Sequence, residues 1–171
     1  MTKILLEGRP GVGKTTVVRA CIDRLIRRGT PVRGFTTSEI RVGGRRVGFQ
    51  IEAVGGALGV LAHVNFPGPP SVGRYGVDLQ AFERIALPTL GANDGGVLVI
   101  DEIGKMELAS VAFREHVREA FERDVSVLAT VHRYRHPFTD QLKDRPDVRL
   151  VQVTYENRNT LADEVATWFE V

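Results

Sequence analysis

Residues 3–19, Lys3-Ile-Leu-Leu-Glu-Gly-Arg-Pro-Gly-Val-Gly-Lys-Thr-Thr-Val-Val-Arg19, constrain the fold more than any other stretch of this chain. A short apolar run enters Gly8-Arg9-Pro10-Gly11-Val12-Gly13-Lys14-Thr15, which fits the pattern G-x-x-x-x-G-K-[ST], and a helix pattern follows. The residue types have a chemical logic. Glycines let the backbone curl so that successive N–H groups converge on an anion. A lysine at the end of the loop reaches β- and γ-phosphates, the next hydroxyl suits Mg²⁺, and the helix directs its positive end at the same charge. The candidate nucleotide-binding residues are therefore Gly8, Arg9, Pro10, Gly11, Val12, Gly13, Lys14, Thr15 and Thr16, with Thr15 also a candidate Mg²⁺ ligand. The bland alternative is a glycine-rich turn that binds nothing.

A strand–loop–helix opening asks for a parallel sheet, and the rest of the chain supplies one. Val17, Val18, Cys21, Ile22, Leu25 and Ile26 form the apolar side of the first helix, which Gly29 stops. Pro31–Thr36 reads as the second strand. The βαβ rhythm then breaks: 39–42 and 45–51 flank Gly43-Gly44, a hairpin signal, and 58–64 is expected to pair beside them. Residues 65–77, rich in proline and glycine, read as a long irregular stretch. Leu79, Phe82, Ile85, Ala86 and Leu90 mark a helix ending near Gly91. Val97–Ile100 is a four-residue apolar run closed by Asp101-Glu102, as in a strand buried on both faces. Phe113, Val117, Ala120 and Phe121 mark another helix, 125–131 and 148–153 the last strands, and Leu161, Val165 and Trp168 the closing helix. The expected fold is α/β, a doubly wound, mostly parallel sheet with an antiparallel hairpin extension at one edge.

Length and composition agree with one domain over residues 1–171. The chain has 171 residues, 43% hydrophobic and 26% charged, and a net charge of +2. So small a surplus gives little support to a nucleic-acid surface, although a local patch remains compatible with it. The single Cys21 excludes an internal disulfide and a multi-cysteine metal site, and it falls on the apolar side of its helix. No apolar run approaches ~18 residues and no basic-then-apolar leader precedes the first strand. A cytoplasmic monomer with no membrane partner is expected.

Asp101, at the carboxyl end of a buried strand, is the natural counterpart of the phosphate loop: it would hold Mg²⁺ opposite Thr15. Glu102 beside it resembles the glutamate with which some phosphate-loop ATPases activate water. In that branch, by analogy, a further strand separates the phosphate-loop strand from the Asp-Glu strand, giving the recombinase-type core order 5-1-4-3-2. Residues 125–131 would fill that place, with Thr130 and His132 as candidate γ-phosphate sensors. In the loop that follows, Arg133 and Arg135 could neutralise the transferring phosphoryl group, stack on the base, or form no more than a solvated basic loop. His132 and His136 lack a third ligand for a metal, and His63 and His116 read as structural. Asn157 and Arg158 follow the last strand, where base or ribose contacts often lie, but an Asn there serves equally well as a helix cap. No Asn-Lys-x-Asp guanine signature is present.

These motifs together resemble the thermophilic, or cancer-related, nucleoside-triphosphatase family. The matching stretches are Pro10-Gly-Val-Gly-Lys-Thr-Thr16, Gly34-Phe-Thr-Thr-Ser-Glu-Ile-Arg41, Gly44-Arg-Arg-Val-Gly-Phe49 and Val72-Gly-Arg-Tyr-Gly-Val-Asp78, then Asp101-Glu-Ile-Gly-Lys-Met-Glu-Leu108 and Glu156-Asn-Arg-Asn159. The resemblance implies Mg²⁺-dependent hydrolysis of ATP, GTP, CTP and UTP to diphosphate and phosphate, with broad base tolerance. It implies catalytic roles for Lys14 and Glu102, metal binding by Thr15 and Asp101, and a place near the γ-phosphate for Lys105. The His-Arg-Tyr-Arg-His loop after Thr130 departs from the family pattern. A nucleotide or nucleoside kinase built on the same loop, and a nucleotide-dependent RNA- or protein-binding module, are the alternatives.

Overall fold

The computed structural model describes residues 1–91 and 95–169, so residues 92–94 and 170–171 of the expected domain lie outside the described part. In chain order the elements are β1 (Lys3–Gly8), α1 (Lys14–Arg27), β2 (Val32–Val42), β3 (Arg45–Ala53), β4 (Leu58–His63), β5 (Ser71–Val72) and β6 (Tyr75–Val77). There follow α2 (Leu79–Leu90), β7 (Val97–Ile103), α3 (Val111–Glu122), β8 (Ser126–His132), α4 (Pro137–Lys143), β9 (Val148–Gln152) and α5 (Leu161–Thr167).

Alternation along β1 sets the two faces. Successive side chains of a strand point to opposite sides, and here Leu5 joins one apolar cluster while Ile4 and Leu6 join the other. The Leu5 face packs on α2 and α3, where Phe35, Phe82 and Phe113 meet edge to face at 5.1–6.0 Å. The Ile4 face packs on Val17, Val18, Cys21 and Leu25 of α1 and on Leu161 and Val165 of α5. Burial pushes the Cys21 thiol up to about 12, and its Sγ lies 3.4 Å from the Ala162 carbonyl, as an inert core group would.

A nine-stranded sheet runs β5-β6-β4-β3-β2-β7-β8-β1-β9. The strands from β2 to β9 in that order pair in parallel; β3, β4, β6 and β5 extend the β2 edge in antiparallel pairs. The central sheet is thus mostly parallel and covered by helices on both faces. The carboxyl ends of β1, β7 and β8 come together at one rim, where ligands of such sheets gather. Among the described residues no helix is long and apolar enough to cross a membrane.

Several local expectations are corrected. The second strand and the first arm of the hairpin are one continuous strand: Val32–Phe35 pairs with β7, and Phe35–Val42 runs past it to pair with β3. Polar Thr37-Ser38 lies within it, paired with Ile51 and Gln50, because a strand that leaves the core no longer needs apolar residues on both faces. The 65–77 stretch contains the β5–β6 hairpin, whose pairs are too short to display alternation. The turn after β8 leads into α4, which the sequence reading did not include. Its signal was local: Pro137 in the first turn, and His136 before it, whose side chain accepts the Phe138 N–H.

Candidate active site

The phosphate loop depends on backbone that only glycine adopts readily. Gly11 and Gly13 have φ of 77° and 110°, and Gly13 immediately precedes α1. The helix has no side-chain cap and no acidic residue in its first turn, so its N-terminal N–H groups are left for an outside anion. Val12 is buried and anchors the loop, whereas Arg9, Pro10, Gly11 and Thr16 are exposed. Lys14 is only 7% exposed, and its Nζ donates to the carbonyls of Gly8 (3.0 Å) and Arg9 (3.4 Å). The cation is held across the loop it would share with phosphate.

Asp101 lies near the carboxyl end of β7 and is fully buried. Thr130, on neighbouring β8, donates its hydroxyl to Asp101 Oδ1 at 2.6 Å. The other oxygen, Oδ2, is buried with no hydrogen-bond partner. Burial pushes the Asp101 carboxyl up to about 6; the Thr130 and Thr15 hydroxyls oppose that shift, and Glu102 adds to it. A buried carboxylate with an orphaned oxygen beside a threonine hydroxyl is a hard-oxygen donor set that fits a small divalent cation.

Glu102 follows through a cis peptide bond. Its Oε2 lies 3.5 Å from Lys14 Nζ, and its side chain is one-third exposed. The next turn presses a second carboxylate against it. A Cβ added to Gly104 would lie 2.7 Å from Glu102 Oε1 and 2.9 Å from Glu107 Oε2, so any larger residue there must displace these carboxylates. Glu107 Oε2 accepts the Gly104 N–H at 3.2 Å, and burial followed by the Glu102 charge pushes Glu107 up to about 8. Burial thus favours the protonated form of Glu107 beside the partly exposed Glu102. The sequence reading gave Glu107 no role; its fixed spacing after Asp101-Glu102 was the available signal.

The turn after β8 leans on the same place. The rings of His132 and Tyr134 stack at 3.1 Å, and Lys105 Nζ lies 4.6 Å from the Tyr134 centroid. Burial first, and then the charges of Glu102 and Glu107, push the Tyr134 hydroxyl above its ordinary range. Burial pushes His132 down to about 4, leaving it neutral, with Nδ1 3.1 Å from the Tyr134 carbonyl. Arg133 is exposed, and its charge bears on Glu7; Arg135 pairs with Asp140 at 3.0 Å. Lys143 of α4 ties the rim together, donating to Glu7 Oε1 (2.6 Å) and to the His132 carbonyl (2.8 Å). No side chain at Lys143 was singled out in the sequence, because α4 itself was not read there.

A family profile described as NTPase matches residues 3–166. This chain belongs to that NTPase family. The chain is 41% identical over 165 residues to nucleoside-triphosphatase THEP1 of Thermotoga sp. (strain RQ2), covering 95% of this chain and 92% of that one. It is 40% identical over 179 residues to the human cancer-related nucleoside-triphosphatase, covering 96% and 94%. The crystal structure of THEP1 from the hyperthermophile Aquifex aeolicus matches with a TM-score of 0.87 and 34% identity, over 99% of this chain and 100% of that one. The solution structure of the human protein gives 0.84 and 39%.

Within the NTPase family frame, the two remaining candidates separate. Asn157 does not cap α5, whose N-cap is Thr160. Its amide is taken up locally: Oδ1 accepts the Thr154 N–H at 2.8 Å and Nδ2 donates to the Gln152 carbonyl at 2.8 Å. Arg158 instead crosses to the phosphate loop. Its Nη1 lies 3.3 Å from the Val12 carbonyl, and its Cδ lies 3.3 Å from where a Cβ on Gly13 would be. The candidates Lys14, Thr15, Asp101, Glu102 and Thr130 are linked pairwise, Lys14 to Glu102 and both Thr130 and Thr15 to Asp101, whereas Lys105 is exposed against Tyr134 and Arg133 bears on Glu7.

Proposed function

We propose that the protein is a Mg²⁺-dependent nucleoside-triphosphate phosphohydrolase, taking NTP and water to NDP and phosphate with broad base tolerance. The observation that carries the reading is the Glu102 carboxylate, partly exposed and 3.5 Å from Lys14 Nζ, next to a fully buried Asp101. One carboxylate is fixed in the rim and the other is left to meet solvent. That division suits a general base beside a phosphate site.

The phosphate loop, Gly8 to Thr16, receives the triphosphate on its N–H groups, and Lys14 turns from the Gly8 carbonyl to the β- and γ-phosphates. Thr15 and Asp101 would hold Mg²⁺; the orphaned Asp101 Oδ2 supports that assignment. When bound, the cation neutralises phosphate charge. Glu102 orients a water and takes its proton as the water oxygen attacks the γ-phosphorus and the bond to the β-phosphate oxygen breaks. Thr130 keeps the Asp101 carboxylate in position, Lys105 offsets negative charge developing above it, and Arg133 is kept as a lesser candidate for the same task. Asn157 shapes the turn that brings Arg158 to the loop. The placement of β8 between β1 and β7 supports kinship with the recombinase-type ATPase core. We treat residues 1–171 as one monomeric domain in this reading.

Phosphate release from ATP, GTP, CTP and UTP with Mg²⁺, with and without nucleoside and nucleotide acceptors, tests it. Release without an acceptor is expected for all four. Glu102→Gln is expected to lower it by about 10²–10⁴-fold with nucleotide binding retained. Phosphate transferred to an acceptor, with none released in its absence, would identify a kinase instead.

A further inference from the structure

The rim of the sheet has a direction. Asp101, Glu102 and Thr130 stand on β7 and β8, which lie on one side of β1; β9 lies on the other. A triphosphate whose γ end is held over β7 and β8 therefore leaves the phosphate loop on the β9 side, where the turn of residues 153–160 joins β9 to α5. That turn is seated against the loop: Gly8 faces the Val153 carbonyl, and Arg158 lies across Val12 and Gly13.

Two features of the turn bear on what it can recognise. The first is Tyr155, 61% exposed, whose ring lies 5.1 Å from the Arg158 guanidinium. An aromatic ring left in water and backed by a cation, beside a phosphate site, offers a π-face to a planar ligand. The second is that Gln152, Thr154, Asn157 and Thr160 are already paired. Gln152 donates to Glu7, Asn157 bonds Thr154 and Gln152, the Thr154 hydroxyl accepts the Asn157 N–H, and the Thr160 hydroxyl donates to the Asn157 carbonyl. Four of the polar side chains able to read hydrogen-bonding edges of a base are thus engaged elsewhere, and Asn159 is left exposed.

We infer that Tyr155, backed by Arg158, is the nucleobase platform, and that it takes purines and pyrimidines alike by stacking on their faces. Every base has a π-face, so such a platform is base-tolerant by construction. The inference rests on the nucleotide reading of the phosphate loop and assigns the other end of the same ligand.

The test measures binding by calorimetry with Mg²⁺ present, so that it does not depend on turnover. Ligands are ATP, GTP, CTP, UTP and inorganic tripolyphosphate, which has no base. Tyr155→Ala is expected to weaken all four nucleotides by on the order of tenfold, the worth of one stacked base, and to leave tripolyphosphate affinity as in the wild type. Tyr155→Phe, which keeps the ring, restores what Tyr155→Ala loses. Unchanged nucleotide affinity in Tyr155→Ala would overturn the assignment. So would a loss confined to one base, which means edge reading, or an equal loss for tripolyphosphate, which means a supporting role for the phosphate loop. The function reading is judged apart: wild-type protein that binds nucleotides but releases no phosphate overturns hydrolysis and leaves the Tyr155 comparison intact.

Discussion

A single hydrogen bond decides how much charge the rim can store. Asp101 is fully buried, and only Oδ1 has a partner, the Thr130 hydroxyl at 2.6 Å. Thr130→Val keeps the shape of the side chain but removes the donor. The buried carboxylate would then lose its close donor at Oδ1, and leaving such an atom unsatisfied costs about 1–3 kcal/mol, more when the group is charged. Nucleotide-free Thr130→Val is therefore expected to be less stable by at least that amount at pH 7.5, whereas Thr130→Ser, which retains the hydroxyl, recovers most of it. Urea unfolding of the three proteins measures this. Equal stability of the valine variant would mean that the bond holds nothing.

At the scale of elements, two strand ends and their turns meet: Glu102 of β7 with Gly104, Lys105 and Glu107 after it, and His132 of β8 with Tyr134 after it. Gly104 is the tight point, since a methyl group there would press on Glu102 and Glu107 oxygens at 2.7 and 2.9 Å. Both obstacles are ends of side chains, which can move, so Gly104→Ala is expected to fold with little loss of stability. What it displaces is Glu102. Phosphate release per enzyme is expected to fall by at least tenfold while KM and melting temperature stay close to wild type; a rise in KM with normal turnover would place the effect on binding instead. How legible these elements were in the sequence follows from length and locality. The phosphate loop, Asp101-Glu102 and the apolar strands carry their signal within a few residues, so the α/β fold class and the candidate residues at the carboxyl ends of the strands could be read directly. β2 could not, because its outer half answers to β3 rather than to a two-sided core. α4 is only seven residues, too short for a period to emerge, and with it went Lys143. Tyr155 is one exposed aromatic among polar residues; only the packing of Arg158 on the phosphate loop gives it a setting.

Taken whole, the molecule balances buried acids against buried bases, and its stability should record which titrates where. Burial raises Glu107 from 4.5 to about 8 and Asp101 from 3.8 to about 6. An acid whose folded value is raised holds its proton in the folded state at a pH where the unfolded chain has released it. Stability from such a group is therefore full at low pH and is lost as pH rises toward the folded value, by about 1.4 kcal/mol per unit for each proton. His132 works the other way, since burial lowers it from 6.5 to about 4 and stability is lost as pH falls through that window. It opposes Asp101 between 4 and 6 and goes silent above 6.5. Glu7 and Glu39, lowered against the desolvation of burial by lysine, glutamine and arginine partners, act lower still. Between pH 6.5 and 8 Glu107 is thus left as the principal raised acid. Nucleotide-free protein is expected to lose about 2 kcal/mol across that interval, and Glu107→Gln, which cannot ionise and keeps an oxygen for the Gly104 N–H, is expected to show a flat profile. Urea unfolding at pH 6.5, 7.2 and 8.0 reads the slope directly. A parallel fall in both proteins would assign it to another group and leave Glu107 ionised beside Glu102.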